Sequence, residues 1–187
     1  MTDGKSSPGQ PDPVRRAAIR PRATRFDGVR LRFDSAKSFD ELVAAVLAEV
    51  GDERVPMEEI ARRNPRWDDF AREVESHEGA TGFMLFARWD HGGWLAKAGV
   101  HRKVLRVVIG NPLIAIMMLR HDASAGLFAP VELLLTDEAG NHSALTYVQP
   151  SSLMVVEPNE PLRRAATKLD AKLAAFASKV TGVSGAA

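Results

Sequence analysis

Val104-Leu105-Arg106-Val107-Val108-Ile109-Gly110-Asn111-Pro112-Leu113-Ile114-Ala115-Ile116-Met117-Met118-Leu119 is the run on which the fold turns. Up to Ile109 it is apolar and rich in β-branched side chains, and a glycine closes it, which reads as a buried strand. Asn111 followed by Pro112 then reverses the local preference. Asparagine is a favoured helix N-cap and proline fits the first helical position, so a helix should run from Gly110-Asn111-Pro112 to about Leu119.

Outward from this strand and helix the pattern continues. Val131–Thr136 and Ser143–Val148 read as strands joined by the loop Asp137-Glu138-Ala139-Gly140-Asn141, with Leu153–Val156 as a further short edge strand. The last helix starts near Pro161 and repeats Leu162, Ala166, Leu169, Leu173, Phe176 and Val180 at helical spacing, so one of its faces should pack on the sheet. Upstream, Phe83–Trp89 is apolar on both faces and reads as a central strand. Asp90-His91-Gly92-Gly93-Trp94 and Gly126–Pro130 read as loops. Near the start, Val29–Phe33 alternates like a half-exposed strand. Ser38-Phe39-Asp40-Glu41 is a capping box opening an amphipathic helix that ends at Gly51. Between Val55 and Glu78, two prolines and sparse apolar positions predict two short helices, near 56–63 and 65–77, with Asn64 capping the second. This order gives an α+β fold: a mainly antiparallel mixed sheet with helices on one face, plus an inserted helical hairpin over 56–78.

Composition bounds the rest. The chain has 187 residues, no cysteine, and 25 basic against 24 acidic side chains. The missing thiols exclude disulfide scaffolds, zinc–thiolate sites and thiol nucleophiles. Residues 1–25 hold six basic and two acidic groups, leaving 19 basic and 22 acidic groups for the remainder. That body has no electrostatic footprint for nucleic acid. The expected organisation is a disordered basic tail over 1–25, one domain over 26–182 and a flexible end over 183–187. No apolar run is long enough for a membrane span. The Arg15-Arg16 pair lacks the apolar stretch an export signal needs, so the expected location is cytoplasmic.

The block from Asp90 to Tyr147 resembles the "domain of unknown function 302" family, with its TT1751-like fold. The resemblance rests on Asp90-His91 after a strand, Ala98-Gly99, the apolar strand into Gly110-Asn111-Pro112, Met118, Pro130 before Val131–Leu135, and Tyr147 shortly before Pro150. It implies a sheet with one helix-covered face and no established reaction. Compact members of the family connect the first helix to the second strand briefly, whereas Val55–Glu78 intervenes here.

Candidate site residues follow from the same stretches. Free amides at the Asn111 helix start attract anions, although capping by Asn111 explains that sequence equally well. Asp90 beside His91 suggests an acid–base pair, yet sequence neighbours point apart, and a histidine fixing the glycine loop is the plainer reading. Trp89 and Trp94 flank His91. Leu113, Ile114, Ile116, Met117 and Met118 give their helix an oily surface, explained by core packing or by a pocket for an apolar ligand. None of the five histidines pairs at metal-ligand spacing, so neither metal nor cofactor is expected. The resulting expectation is a ligand site of Asp90, His91, Trp94, Gly110, Asn111 and Met118, formed where two stretches meet at one end of the sheet. The protein is then a small-ligand-binding or interaction module without a recognisable catalytic set. The alternative is a small hydrolase or isomerase using His91 as general base. Expected partners are a small molecule or a protein, with homo-oligomers assembled through the hairpin or the last helix as a further class.

Overall fold

The computed structural model describes residues 21–183. In chain order the elements are β1 (Arg30–Ser35), α1 (Phe39–Val50), α2 (Met57–Arg63), α3 (Trp67–Glu75), β2 (Met84–Asp90), α4 (Gly92–Leu95), β3 (Val104–Gly110), α5 (Pro112–Leu119), β4 (Val131–Glu138), β5 (His142–Val148), α6 (Pro150–Met154) and α7 (Glu160–Thr181). The strands form one sheet in the order β1-β5-β4-β3-β2, and every neighbouring pair is antiparallel. The α+β class expected from the sequence holds. Of the basic tail, residues 1–20 lie outside the described residues, as do 184–187 at the other end. Residues 21–29 form no helix or strand, and Arg22 pairs with Glu157 at 2.6 Å.

Strand alternation places Val107 and Ile109 of β3, Val131, Leu133 and Leu135 of β4, and Leu145 and Tyr147 of β5 on one face. The pairing register confirms that they are cross-strand neighbours. Helices α1 and α7 bury this face with Leu42, Val46 and Val50 from the first and Leu162, Leu173 and Phe176 from the second. Phe83 and Phe176 meet edge to face at 5.8 Å. The expected capping box is formed: Ser38 Oγ accepts from the Glu41 amide, and Glu41 accepts from the Ser38 amide at 2.8 Å. The opposite face carries charge pairs, Arg32 with Asp34 and Glu138, and Arg106 with Glu132, while Arg106 stacks over Trp89 at 5.2 Å. Those pairs let this face lie against water.

Four expectations are corrected. β2 is an edge strand, not a central one. It is apolar on both sides because Leu85 joins the main core while Met84 and Phe86 pack against Ile60, Val74, Met57 and Phe70 of the helical hairpin. The segments flanking the hairpin also occupy the open edge of β2: the Val55 amide donates to the Leu85 carbonyl (3.0 Å) and the Gly79 amide to that of Phe83 (3.1 Å). An edge so covered offers fewer groups to a stray strand. Second, Gly92–Leu95 is one helical turn that runs on into a 3₁₀ turn, Ala96–Ala98, rather than an open loop. Third, among the described residues the sheet gains no strand after β5. Pro150 occupies the first turn of α6, and the Ser151 amide donates to Asp170 on α7 at 3.0 Å. Fourth, Asn64 ends α2 instead of starting α3, its amide donating to the Ile60 carbonyl at 2.9 Å.

Tyr147, the chain's single tyrosine, is 3% exposed, and its hydroxyl has no hydrogen-bond partner among the described residues. Burial, and secondarily the Asp170 carboxylate, push its pKa up to about 12. Because burial penalises the phenolate, stability is unaffected while the phenol is protonated in both states, falls as pH rises past the unfolded value of about 10, and stops falling above about 12. The phenolate absorbance of the native protein should therefore appear with a midpoint near 12, where a midpoint near 10 would show an accessible ring. Tyr147→Phe should remove the alkaline fall and add about 1 kcal/mol at neutral pH, because an unpaired buried hydroxyl costs about that much.

Candidate functional site

Helix α5 has no polar side chain, and a helix apolar all round is normally buried. Here only Met118 is fully enclosed, at 1% exposure, while Met117 is 47% exposed. Part of the helix instead walls a cavity of about 390 Å³. Met57 and Ala61 of α2, Phe86 of β2, Ile114 and Met118 of α5, and Leu169 of α7 surround it, so the hairpin, the sheet end and the last helix all contribute. Glu58 is the ionisable side chain on its lining.

Gly110 explains how the cavity stays open next to the sheet. A Cβ there would sit 2.8 Å from the Phe86 ring and 3.0 Å from Pro130. The ring packs against Gly110 only because no side chain intervenes.

Asn111 sits at the junction, 5% exposed. Its side-chain oxygen accepts from the Leu113 amide at 2.8 Å, capping α5. Its amide nitrogen donates to Glu78 (2.5 Å) and to the Gly82 carbonyl (2.9 Å). The cap occupies the helix start that an anion would use, and the other two bonds tie α5 to the segment between α3 and β2.

The six residues expected to form one site do not meet. Gly110, Asn111 and Met118 line the cavity just described. Asp90, His91 and Trp94 lie at the other end of the β2–β3 pair, where Asp90 is opposite Leu105 while Met84 is opposite Gly110. The two ends are separated by a seven-residue strand, roughly 20 Å at the usual rise. The chain reverses after β2 and travels the length of β3 before it reaches Asn111, so the single hollow expected from both stretches is not formed.

At the His91 end a second hollow of about 860 Å³ separates α1 from the β2–β3 connection. Four of its five charged side chains are paired with one another. Lys103 contacts Asp40 at 2.7 Å and Arg102 contacts Asp137 at 2.8 Å. Burial pushes the Asp137 carboxyl up, but the Arg102 guanidinium and the Lys103 amide outweigh it and hold its pKa below the usual carboxylate range. Asp90 accepts from the Gly93 amide at 3.1 Å, a local contact at the start of α4. The His91 Nδ1 accepts from the Trp94 indole N–H at 3.3 Å. The neutral ring then carries its proton on Nε2 and presents a donor to solvent, the wrong tautomer for a general base acting through Nε2.

Among the described residues no group of three His, Asp or Glu side chains could hold a metal ion, and no helix is long and apolar enough to cross a membrane. Sequence reasoning did not single out Ala61, Phe86, Pro130 or Leu169 as site residues. The oily surface of α5 was the signal available. Which elements would face it depends on long-range packing.

A family model described as "Domain of unknown function DUF302" matches residues 60–180, a span that takes in most of the α2–α3 hairpin as well as β2 to α7. The crystal structure of an uncharacterized conserved protein DUF302 from Bacillus stearothermophilus is similar to this chain with a TM-score of 0.57 and 16% identity. The alignment covers 81% of this chain and 97% of that one, and it shows a shared fold. No curated protein matches the chain.

The contacts of Asn111 make a prediction that helix capping alone does not. Aspartate is as good an N-cap as asparagine. Asn111→Asp should nonetheless lower stability by about 2 kcal/mol, because it loses both donated bonds and sets a carboxylate against Glu78. Two such carboxylates resist ionisation together, so the loss should shrink as pH falls and the pair takes up a proton. Adding Glu78→Gln should restore most of it. Urea unfolding of the parent and the two variants tests this, and an Asn111→Asp protein as stable as the parent would refute the contact.

Proposed function

The chain belongs to the family described as Domain of unknown function DUF302, and from that premise we propose that it is a binding protein for a small apolar ligand, held in the cavity between α5, the α2–α3 hairpin and the sheet end. The observation that carries this reading is the partly unburied, wholly apolar helix α5 beside a cavity of about 390 Å³. Small-molecule sites are concave, mostly apolar and largely preformed, at about 300–1,000 Å³. Burying apolar surface against a ligand would gain roughly 25 cal/mol per Å², and methionines at 57 and 118 can adapt to a range of shapes. Gly110 and Met118 serve as lining. Asn111 serves as the brace that holds α5 against the hairpin.

The lining favours holding a molecule over transforming it. Glu58 is exposed on the surface of α2 and faces no second acid or base within the lining, whereas acid–base catalysis requires positioned proton donors and acceptors.

The test uses N-phenyl-1-naphthylamine, an uncharged apolar fluorophore, with the full chain. Its emission should rise saturably at one site per chain. Ala61→Trp and, separately, Ala115→Phe should fill the cavity and abolish the rise while circular dichroism and melting temperature stay close to the parent's. A ligand at 100 times its Kd should also raise stability by about 2.7 kcal/mol. Saturable emission that survives both substitutions would place the binding elsewhere and overturn the reading.

A further inference from the structure

A groove between α5 and α7 adjoins the cavity, with a volume of about 430 Å³. Ile114, Met118 and Leu169 line both hollows, so the two adjoin along these side chains. The floor of the groove is apolar: Leu113, Ile114 and Met117 from α5, and Ala165 and Leu169 from α7. Its rim is basic. Arg164, Lys168 and Lys172 recur every fourth residue on α7, one per turn on one side of the helix.

The three cations differ in how they are matched. Arg164 has Glu160 at 3.4 Å. Elsewhere on α7, Arg163 pairs with Glu160 and Lys179 with Glu49, each at 2.7 Å. Lys168 and Lys172 form no ion pair among the described residues. The Lys172 ammonium lies over the Phe83 ring at 5.5 Å and beside Gly82. The nearby Glu78 carboxylate takes its hydrogen bond from Asn111 instead. Two cations without ion-pair partners thus border an apolar trough that shares its wall with an apolar cavity. An apolar ligand alone would leave those ammonium groups unused. A ligand with an anionic head and a single hydrocarbon chain would satisfy both parts, with charge-assisted hydrogen bonds at the head and burial along the chain. The trough is concave and lies between two helices, a shape for one chain rather than for the plane of a bilayer.

We propose, on the basis of the apolar-cavity reading above, that the ligand is a free long-chain carboxylate, its hydrocarbon chain lying along α5 toward the cavity and its head group held by Lys168 and Lys172.

Isothermal titration calorimetry of the full chain with dodecanoate, 1-dodecanol and dodecyltrimethylammonium, each below its aggregation concentration, tests the proposal. Dodecanoate should bind about tenfold or more tighter than dodecanol, as a charge-assisted contact implies, and the advantage should shrink with added salt. Lys168→Glu with Lys172→Glu should erase the advantage and leave dodecanol binding intact. The milder Lys168→Gln with Lys172→Gln should do the same if charge reversal disturbs the fold. Equal affinity for dodecanoate and dodecanol, with both lost in Ala61→Trp, would overturn the carboxylate assignment and leave the cavity reading standing. No binding of any of the three would overturn both. Association with phosphatidylglycerol vesicles without binding of monomeric dodecanoate would also overturn the proposal, assigning the basic rim to a membrane surface.

Discussion

Asn111 is the joint on which the functional part of the molecule depends. One buried side chain accepts the first free amide of α5 and donates twice to the segment that leads from the hairpin into β2. A buried amide with all these bonds made is cheap to keep and costly to disturb. It fixes where α5 leaves the sheet, and so fixes how far that helix stands from α2. If α5 could settle inward, its apolar side chains would close the cavity by packing on Met57 and Phe86. Gly110, one residue earlier, acts in the same sense by letting the Phe86 ring lie across the strand end without displacing it.

The hairpin has two roles that share one set of contacts. Its Ile60 and Val74 pack on Met84 and form a small core separate from the main one, and the chain on either side of it hydrogen-bonds the exposed edge of β2. It therefore completes the sheet's burial while forming the far wall of the cavity. A hollow at such a seam has a plain physical origin. Two cores are built by different helices, and the space between them is bounded by Leu169 and Met118 from one and Met57 and Phe86 from the other. Interiors are otherwise close-packed, so an apolar space of this size left open at the seam is a feature that a ligand can exploit.

Much of this architecture is legible in the residues. The capping box at Ser38, the Asn111-Pro112 helix start, the β4–β5 hairpin and the face of α7 all rest on local chemistry, and each forms as the pattern dictates. The apolar character of β2 is also plain, but its meaning is not. Apolar side chains on both faces arise equally from a central strand and from an edge strand covered by a hairpin, and only the tertiary contacts separate the two. The position of His91 relative to Asn111 is hidden for a related reason. Both follow strands, and both lie near glycines, but antiparallel pairing sends the end of β2 and the end of β3 to opposite ends of the sheet. The α5–α7 groove is half visible: the basic repeat at Arg164, Lys168 and Lys172 stands in the sequence, while most of its apolar floor comes from a helix some fifty residues earlier.

Methionine methyl groups offer the most direct view of whether the seam holds a ligand. The chain's six methionines include Met57, Met117 and Met118 at the two adjoining hollows and Met154 of α6 in the main core. On titration with 1-dodecanol, methyl NMR spectra should show the Met57 and Met118 signals moving together to saturation, with Met154 and the Trp94 indole N–H unchanged. Methionine signals that stay fixed while the Trp94 resonance saturates would contradict the account, because the ligand would then occupy the opposite end of the sheet.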